Sequence, residues 1–338
     1  MLIRLLLALL AGYSFAPAAL ATASGVVTET FMIPALDAGI QLQLRNKHLG
    51  NQRGYGSANI LLVVHGATFP SASGFDVDLP GGSWMDFAAY RGFDVYALDV
   101  RGYGGSTRPA AMEQPPGANA PIASTREAIR DISAAVDFIL KRRKVSNLNL
   151  LGWSWGTTTM AGYAAENPEK VRKLVLFAPV WTPVTTRQFE GAYRLTTREA
   201  ARAQNTLGIP SDRVEEISPS AWFDKWWEVT LATDPSATTR NPPSIRAPTG
   251  VMKDFSEQWA AGKPTYNPAA IRAPTLLIVG EWDALTPPAM AQELFKQLTG
   301  TRDRRLVVLS EGSHAMSLEK NRMRLIREVQ HFLEEPID

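Results

Sequence analysis

The stretch "LLGWSWGTTTMAG", residues 150–162, sets Ser154 between two tryptophans and two glycines. The residues leading into it, "NLNLLGWS" (147–154), form a short apolar run of the kind a buried parallel strand shows, and "GTTTMAGYAAEN" (156–167) reads as a helix. A serine at such a junction, with Gly152 and Gly156 two residues to either side, fits a tight turn that holds it in strained backbone geometry; side chains in place of the glycines would collide with the adjoining strand and helix. The fold follows from asking what surrounds this turn.

Outward from it, the same alternation recurs. "NILLVVHG" (59–66), "FDVYALDV" (93–100) and "KLVLFAPV" (173–180) are further buried runs, and 26–33 and 40–48 read as two earlier strands. One short helix fits over 84–90. A longer one starts at the capping box Ser124-Thr125-Arg126-Glu127 and runs to Lys144, with Ile129, Ile132, Val136 and Ile139 on one stripe. Later, "PTLLIVGEWD" (274–283), a helix capped by Thr286, "RLVVLSEGSH" (305–314) and a last helix over 317–334 resume the pattern. Strand and amphipathic helix in regular exchange predict an α/β architecture, a mostly parallel doubly wound sheet with helices on both faces.

Between 181 and 273 the alternation stops. This stretch is rich in threonine, proline and aromatics and shows no comparable buried strand, so it is expected to be a lid or cap inserted into a core made of 22–180 and 274–338. The first residues, with one arginine, an apolar run over 5–11 and small residues ending at Ala21, have the layout of a secretory signal peptide. That predicts cleavage near Ala21, a secreted or periplasmic mature chain, and no membrane attachment of the mature form.

Composition narrows the chemistry. The chain of 338 residues has no cysteine, which removes disulfides, thiolate nucleophiles and thiolate metal sites, and its four histidines lie far apart without ligand spacing, so no metal is expected. A net charge of only +2 gives no ground for nucleic acid as a partner.

A serine hydroxyl needs a base to take its proton, and the base needs an orienting carboxylate. His314, in "SEGSHAM", and Asp283, in "VGEWDALTP", both fall at the carboxyl ends of predicted parallel strands, the sheet edge at which ligands bind. His48 and His331 fit surface or packing positions better, and His65 closes the first buried strand. For the acid, Asp283 is preferred to Glu281 two residues before it and to Asp99, which is expected to tie down the "RGYGGS" loop through backbone hydrogen bonds. Attack on a carbonyl makes an oxyanion, which two backbone N–H groups would stabilise. One is expected from Trp155, the other from the loop "HGATFP", with Ala67 preferred to Thr68.

With Ser154, Asp283 and His314 in that chain order, the sequence resembles the α/β-hydrolase family over nearly all of the mature chain. G-W-S-W-G matches the family's nucleophile elbow, "HGA" its oxyanion loop, "DVRGYGGS" its D-x-R-G-x-G-x-S loop, "GEWDALTP" its acid loop and "GSHAM" its histidine loop. Serine at the elbow departs from the aspartate of the haloalkane dehalogenases and epoxide hydrolases, and both activities are disfavoured. The tryptophans about the elbow are bulkier than usual.

The resemblance implies a serine hydrolase acting on a small molecule, with no cofactor. The density of aromatics suggests an apolar or aromatic substrate group, with Trp153, Trp181, Trp282 and Thr68 as candidate contacts. A carboxylic ester or lactone is the first expectation. The chain is also similar to the prolyl iminopeptidase branch, which would need acidic residues for a substrate's amino terminus; Glu190, Glu215 and Glu216 are available. A third possibility is a ligand-binding protein that kept the scaffold and lost turnover.

Overall fold

A computed structural model describes residues 25–185 and 189–337. The leader expected over 1–21 lies outside these. In chain order the elements are strands β1 (Val26–Pro34), β2 (Gln41–Leu49) and β3 (Ile60–Val64), helices α1 (Ser71–Phe75) and α2 (Trp84–Tyr90), β4 (Asp94–Leu98), α3 (Thr125–Arg143), β5 (Leu148–Trp153), α4 (Trp155–Glu166) and β6 (Val171–Phe177). Next come β7 (Tyr193–Thr197), α5 (Arg198–Thr206), α6 (Val214–Ile217), α7 (Ser220–Leu231), β8 (Ser244–Pro248) and α8 (Gly250–Asp254), and then β9 (Thr275–Gly280), α9 (Pro288–Gln297), β10 (Arg304–Leu309) and α10 (Arg322–Glu334).

Eight strands form one sheet in the order β1-β2-β4-β3-β5-β6-β9-β10. β1 pairs antiparallel with β2 and β2 antiparallel with β4, while the pairings from β4 through β10 are parallel. The expected α/β class is what the chain adopts.

Alternation along each strand explains the uninterrupted apolar runs. Ile60, Leu62, Val64, Leu150, Leu174 and Leu176 face one core, shared with Ile132, Val136 and Ile139 of α3 and with Met160 of α4. Leu61, Val63, Leu151, Val175 and Phe177 face the other, shared with Met85 of α2 and with Leu325, Val329 and Phe332 of α10. Both faces are covered, so both sets of side chains must be apolar. Each fully buried aliphatic or aromatic group contributes about 1.5–3 kcal/mol.

The chain leaves the sheet after β6 and returns at β9, and these two strands are paired neighbours. The intervening segment is not strandless as expected: β7 and β8 make a separate antiparallel pair, Tyr193 opposite Pro248. β8 is buried along its whole length although it carries an arginine. The Arg246 guanidinium is held by Asp234 in two contacts of 2.9 and 3.1 Å and donates to the Met112 carbonyl at 2.7 Å, which satisfies a charge that would otherwise be costly to bury. The segment rests on the core through α7, whose Trp226 indole donates to the Ser73 carbonyl of α1 at 2.9 Å and packs edge-on against Phe69.

Candidate active site

Ser154 is the single residue between β5 and α4, and its backbone sits at φ 57°, ψ −123°. Such a conformation costs a non-glycine residue on the order of 1–3 kcal/mol and persists only where its surroundings enforce it. Here the Ser154 N–H donates to the Phe177 carbonyl of β6 at 2.9 Å, and the glycines permit the close approach. A Cβ at Gly152 would lie 2.2 Å from the Gly156 carbonyl oxygen, and one at Gly156 would lie 2.6 Å from the carbonyl oxygens of Val64 and His65. Those obstacles are backbone and cannot swing aside.

The turn after β10 brings His314 to the serine. Ser154 Oγ lies 2.9 Å from His314 Nε2, and Nδ1 of the same ring lies 3.0 and 2.9 Å from the two oxygens of Asp283, in the loop after β9. Asp283 Oδ1 accepts the N–H groups of Leu285 (3.0 Å) and Thr286 (2.8 Å), and Oδ2 accepts the Thr286 hydroxyl at 2.8 Å. A carboxylate so supplied with donors is an acceptor only, so Nδ1 carries the ring proton and Nε2 offers its lone pair to the serine hydroxyl. Thr286 is thus not the helix cap that its position suggests. Pro287 occupies that cap and Pro288 the first helical position, where a missing N–H costs nothing.

Ser154, Asp283 and His314 are therefore brought together, and the remaining histidines are elsewhere. His65 is fully buried, donates from Nδ1 to the Gly66 carbonyl at 2.7 Å and accepts the Val100 N–H on Nε2 at 3.2 Å. Burial pushes its pKa down to about 4, so it serves as a neutral strut beneath the loop that follows β3. His48 faces Glu29 on the edge strands and His331 lies beside Glu335. Asp99 does tie down its loop, accepting the N–H of Gly105 at 3.2 Å and that of Ser71 at 2.9 Å. Glu281 accepts the N–H of Glu311.

Both expected oxyanion donors border this arrangement. Trp155 is the first residue of α4, so its N–H belongs to the helix terminus that has no acceptor within the helix. Ala67 and Thr68 line the cleft beside Ser154. The Ala67 carbonyl accepts the Tyr103 hydroxyl at 2.9 Å, and Arg194 Nη2 donates to Thr68 Oγ1 at 2.6 Å, which fixes the loop's course.

The tryptophans are placed differently from expectation. Trp153 stacks on Phe177 and donates its indole N–H to the His314 carbonyl at 3.0 Å, beneath the Ser154–His314 pair. Trp181 packs edge-on against Trp259 and close to Tyr266, and the Arg213 guanidinium lies over Trp282. Among the described residues lining the cleft none of these three occurs; the apolar walls are Val180, Val184, Met252, Phe255, Leu285 and Met290, with Thr185, Arg194 and Gln204 as polar members. No motif or periodicity marks this set, because it is gathered from single positions between β6 and β9, in the acid loop and at the start of α9.

One further acidic group supports the histidine turn. Glu319 is completely buried and accepts the Ser313 N–H at 3.2 and 3.3 Å as well as the Ser313 hydroxyl, which in turn accepts the Ala315 N–H at 3.1 Å. Burial, with the Asp283 charge nearby, pushes its carboxyl up to about 7 from an ordinary 4.5. The folded chain therefore keeps this proton where the unfolded chain has lost it, and stability falls as pH rises from about 4.5 through about 7. In urea titrations at a series of pH values the Glu319→Gln variant is expected to show a shallower decline than wild type across this window. Equal slopes would show that Glu319 is not the group involved.

Comparison with known proteins adds the following. Residues 84–321 match the hydrolase family described as serine aminopeptidase, S33. The chain is similar to the mouse serine hydrolase BPHL, with 26% identity over 67% of this chain, and it spans 65% of that protein's length, just under two thirds. It is also similar to a pimeloyl-(acyl-carrier protein) methyl ester esterase of Neisseria meningitidis, 29% identical over 55% of this chain and 68% of the relative. Among solved structures, an esterase from Exiguobacterium antarcticum superposes with a TM-score of 0.58 over 90% of this chain and 99% of that one at 17% identity, a likeness of fold.

Proposed function

We propose, from the premise that this chain belongs to the serine aminopeptidase S33 family of α/β-hydrolases, that it cleaves a small carboxylic ester or lactone through an acyl-enzyme. The observation that carries the reading is the 2.9 Å contact between Ser154 Oγ and His314 Nε2, with Asp283 on the opposite side of the ring. In this reading His314 takes the serine proton as Oγ attacks the carbonyl carbon, and the N–H groups of Ala67 and Trp155 receive the oxyanion. The imidazolium, stabilised by Asp283, then protonates the departing alkoxide. Water enters by the same base and releases the acid.

The family's description also names aminopeptidases. An aminopeptidase must hold a substrate ammonium, and among the described residues lining the cleft there is no carboxylate. Glu215 is engaged by the N–H and hydroxyl of Ser220, Glu216 by Arg213, and Glu190 is exposed. These placements favour the ester. The leader-like segment 1–21 supports export, with cleavage near Ala21 and a secreted or periplasmic enzyme.

The expected result is rapid hydrolysis of p-nitrophenyl butyrate, with a burst of nitrophenol equal to the enzyme concentration where deacylation is the slow step, and little release from prolyl p-nitroanilide. The reverse ranking would replace the esterase by a peptidase.

A further inference from the structure

We propose that Phe255 closes the acyl side of the cleft and restricts the substrate to esters or lactones of short aliphatic acids. The inference rests on the ester reading and deepens it. Phe255 lines the same cleft as Ser154 and His314, is half-buried, and opens a π-helical turn over Phe255–Trp259 that continues α8, a backbone form frequent at functional sites. Its ring meets Trp259 edge-on at 6.0 Å, and Trp259 packs against Trp181 at 5.9 Å and Tyr266 at 6.0 Å. Those three rings are buried and do not line the cleft, so Phe255 stands between it and a closed aromatic cluster. A packed interior of this kind does not recede to admit more atoms. The cleft holds about 230 Å³, below the roughly 300–1,000 Å³ that encloses a drug-sized ligand. The ester group and its alcohol take part of that space, and a short chain fills the rest.

The side on which the acid lies follows from the proton transfer. His314 must protonate the leaving oxygen, so the alcohol departs along the histidine and the acid loop, past Leu285 and Met290. The acyl chain then runs the other way, over the start of α4, where Val180, Met252 and Phe255 make the wall. This wall is tied to the serine turn from two directions. The Val180 N–H donates to Thr157 Oγ1 of α4 at 3.1 Å, and the same hydroxyl donates to the Ser154 carbonyl at 2.6 Å. Asp254, next to Phe255, accepts the Thr125 N–H at 2.6 Å, and Thr125 Oγ1 accepts the Trp155 indole N–H at 3.0 Å. The segment that carries Phe255 is thereby held at a fixed distance from the residue after the nucleophile.

Two ester series test the idea: p-nitrophenyl acetate, butyrate, hexanoate and decanoate, which vary the acid, and hexyl and decyl acetate, which vary the alcohol, all kept below the concentrations at which they form micelles. In wild type kcat/KM is expected to climb from acetate to hexanoate, by up to roughly fourfold for each methylene buried. From hexanoate to decanoate it is expected to fall by roughly 10-fold or more, as the chain outgrows the wall. In Phe255→Ala the decanoate-to-hexanoate ratio is expected to rise by roughly 10-fold or more, with Phe255→Leu between the two, while the decyl-to-hexyl acetate ratio stays near its wild-type value. Because the wild-type profile needs no variant, the test holds even where Phe255→Ala misfolds.

A wild-type chain whose kcat/KM keeps rising through decanoate overturns the short-acid limit alone. A Phe255→Ala variant with an unchanged decanoate-to-hexanoate ratio, or one in which only the decyl-to-hexyl acetate ratio moves, removes Phe255 from the acyl wall. If wild type cleaves none of these esters, the ester reading falls and takes the acyl wall with it.

Discussion

Replacing Ser154 with alanine is expected to lower kcat for p-nitrophenyl butyrate by about four to six orders of magnitude while leaving the circular dichroism spectrum and the thermal midpoint close to wild type. The size of the loss follows from the way such groups act as a unit: without the nucleophile, base and acid have nothing to activate, and only the oxyanion donors and substrate binding remain. Preservation of the fold follows from what the hydroxyl touches. Its partner is His314 Nε2, whereas the strained turn is enforced by the backbone bond to Phe177 and by the glycines, none of which alanine disturbs. A variant with alanine at 154 that still forms an acyl-enzyme would remove Ser154 from the mechanism.

Asp283→Asn should be nearly as damaging, with a loss of about 10⁴-fold in kcat, and for a more specific reason. The Leu285 and Thr286 N–H groups both point at Oδ1, so an asparagine must turn its carbonyl oxygen towards them. Its NH₂ then faces His314 Nδ1, where a donor already stands. The ring escapes the clash of two donors only by moving its proton to Nε2, and it can no longer accept from Ser154. The expected signature is a kcat that collapses with KM little changed, together with partial recovery at high pH, where hydroxide or a deprotonated nucleophile bypasses the base. A loss confined to KM would show that Asp283 has a role other than fixing the tautomer.

The core and the meeting of Ser154, Asp283 and His314 were legible in the sequence because both are written in local patterns. Buried parallel strands need apolar side chains on both faces, and the eight strands of the main sheet fall within a few residues of where the apolar runs place them. Gly-x-Ser-x-Gly is required by a backbone clash, so it cannot be disguised. Asp283 and His314 follow strand ends, which a parallel sheet gathers on one edge. The inserted segment was harder to read. β8, "SIRAP", contains an arginine and a proline, and its buried Arg246 is neutralised by Asp234, about ten residues before the strand, with help from the Met112 carbonyl. That partnership is tertiary and leaves no periodicity.

The tryptophans misled for a related reason. Aromatic density near a reactive serine signals a large buried area, but sequence does not say whether a ring faces ligand or core. Trp153 alternates with Leu148 and Leu150 along β5, so the strand's own period turns it to the opposite core, under His314. Arg194 had the converse difficulty: a lone arginine in a threonine-rich segment gives no hint that it reaches Thr68, more than a hundred residues earlier.

The adjacency of β6 and β9 makes closing the sheet a long-range event. Their pairing joins residues about a hundred positions apart, Leu174 with Thr275, and closing so long a loop costs on the order of 4 kcal/mol of chain entropy unless the intervening segment has already collapsed. Strands β1 to β6 and the serine turn emerge first from the ribosome. Asp283 and His314 lie beyond that closure in the sequence, so under the proposed mechanism a chain truncated before β9 lacks both base and acid and is expected to leave Ser154 inert.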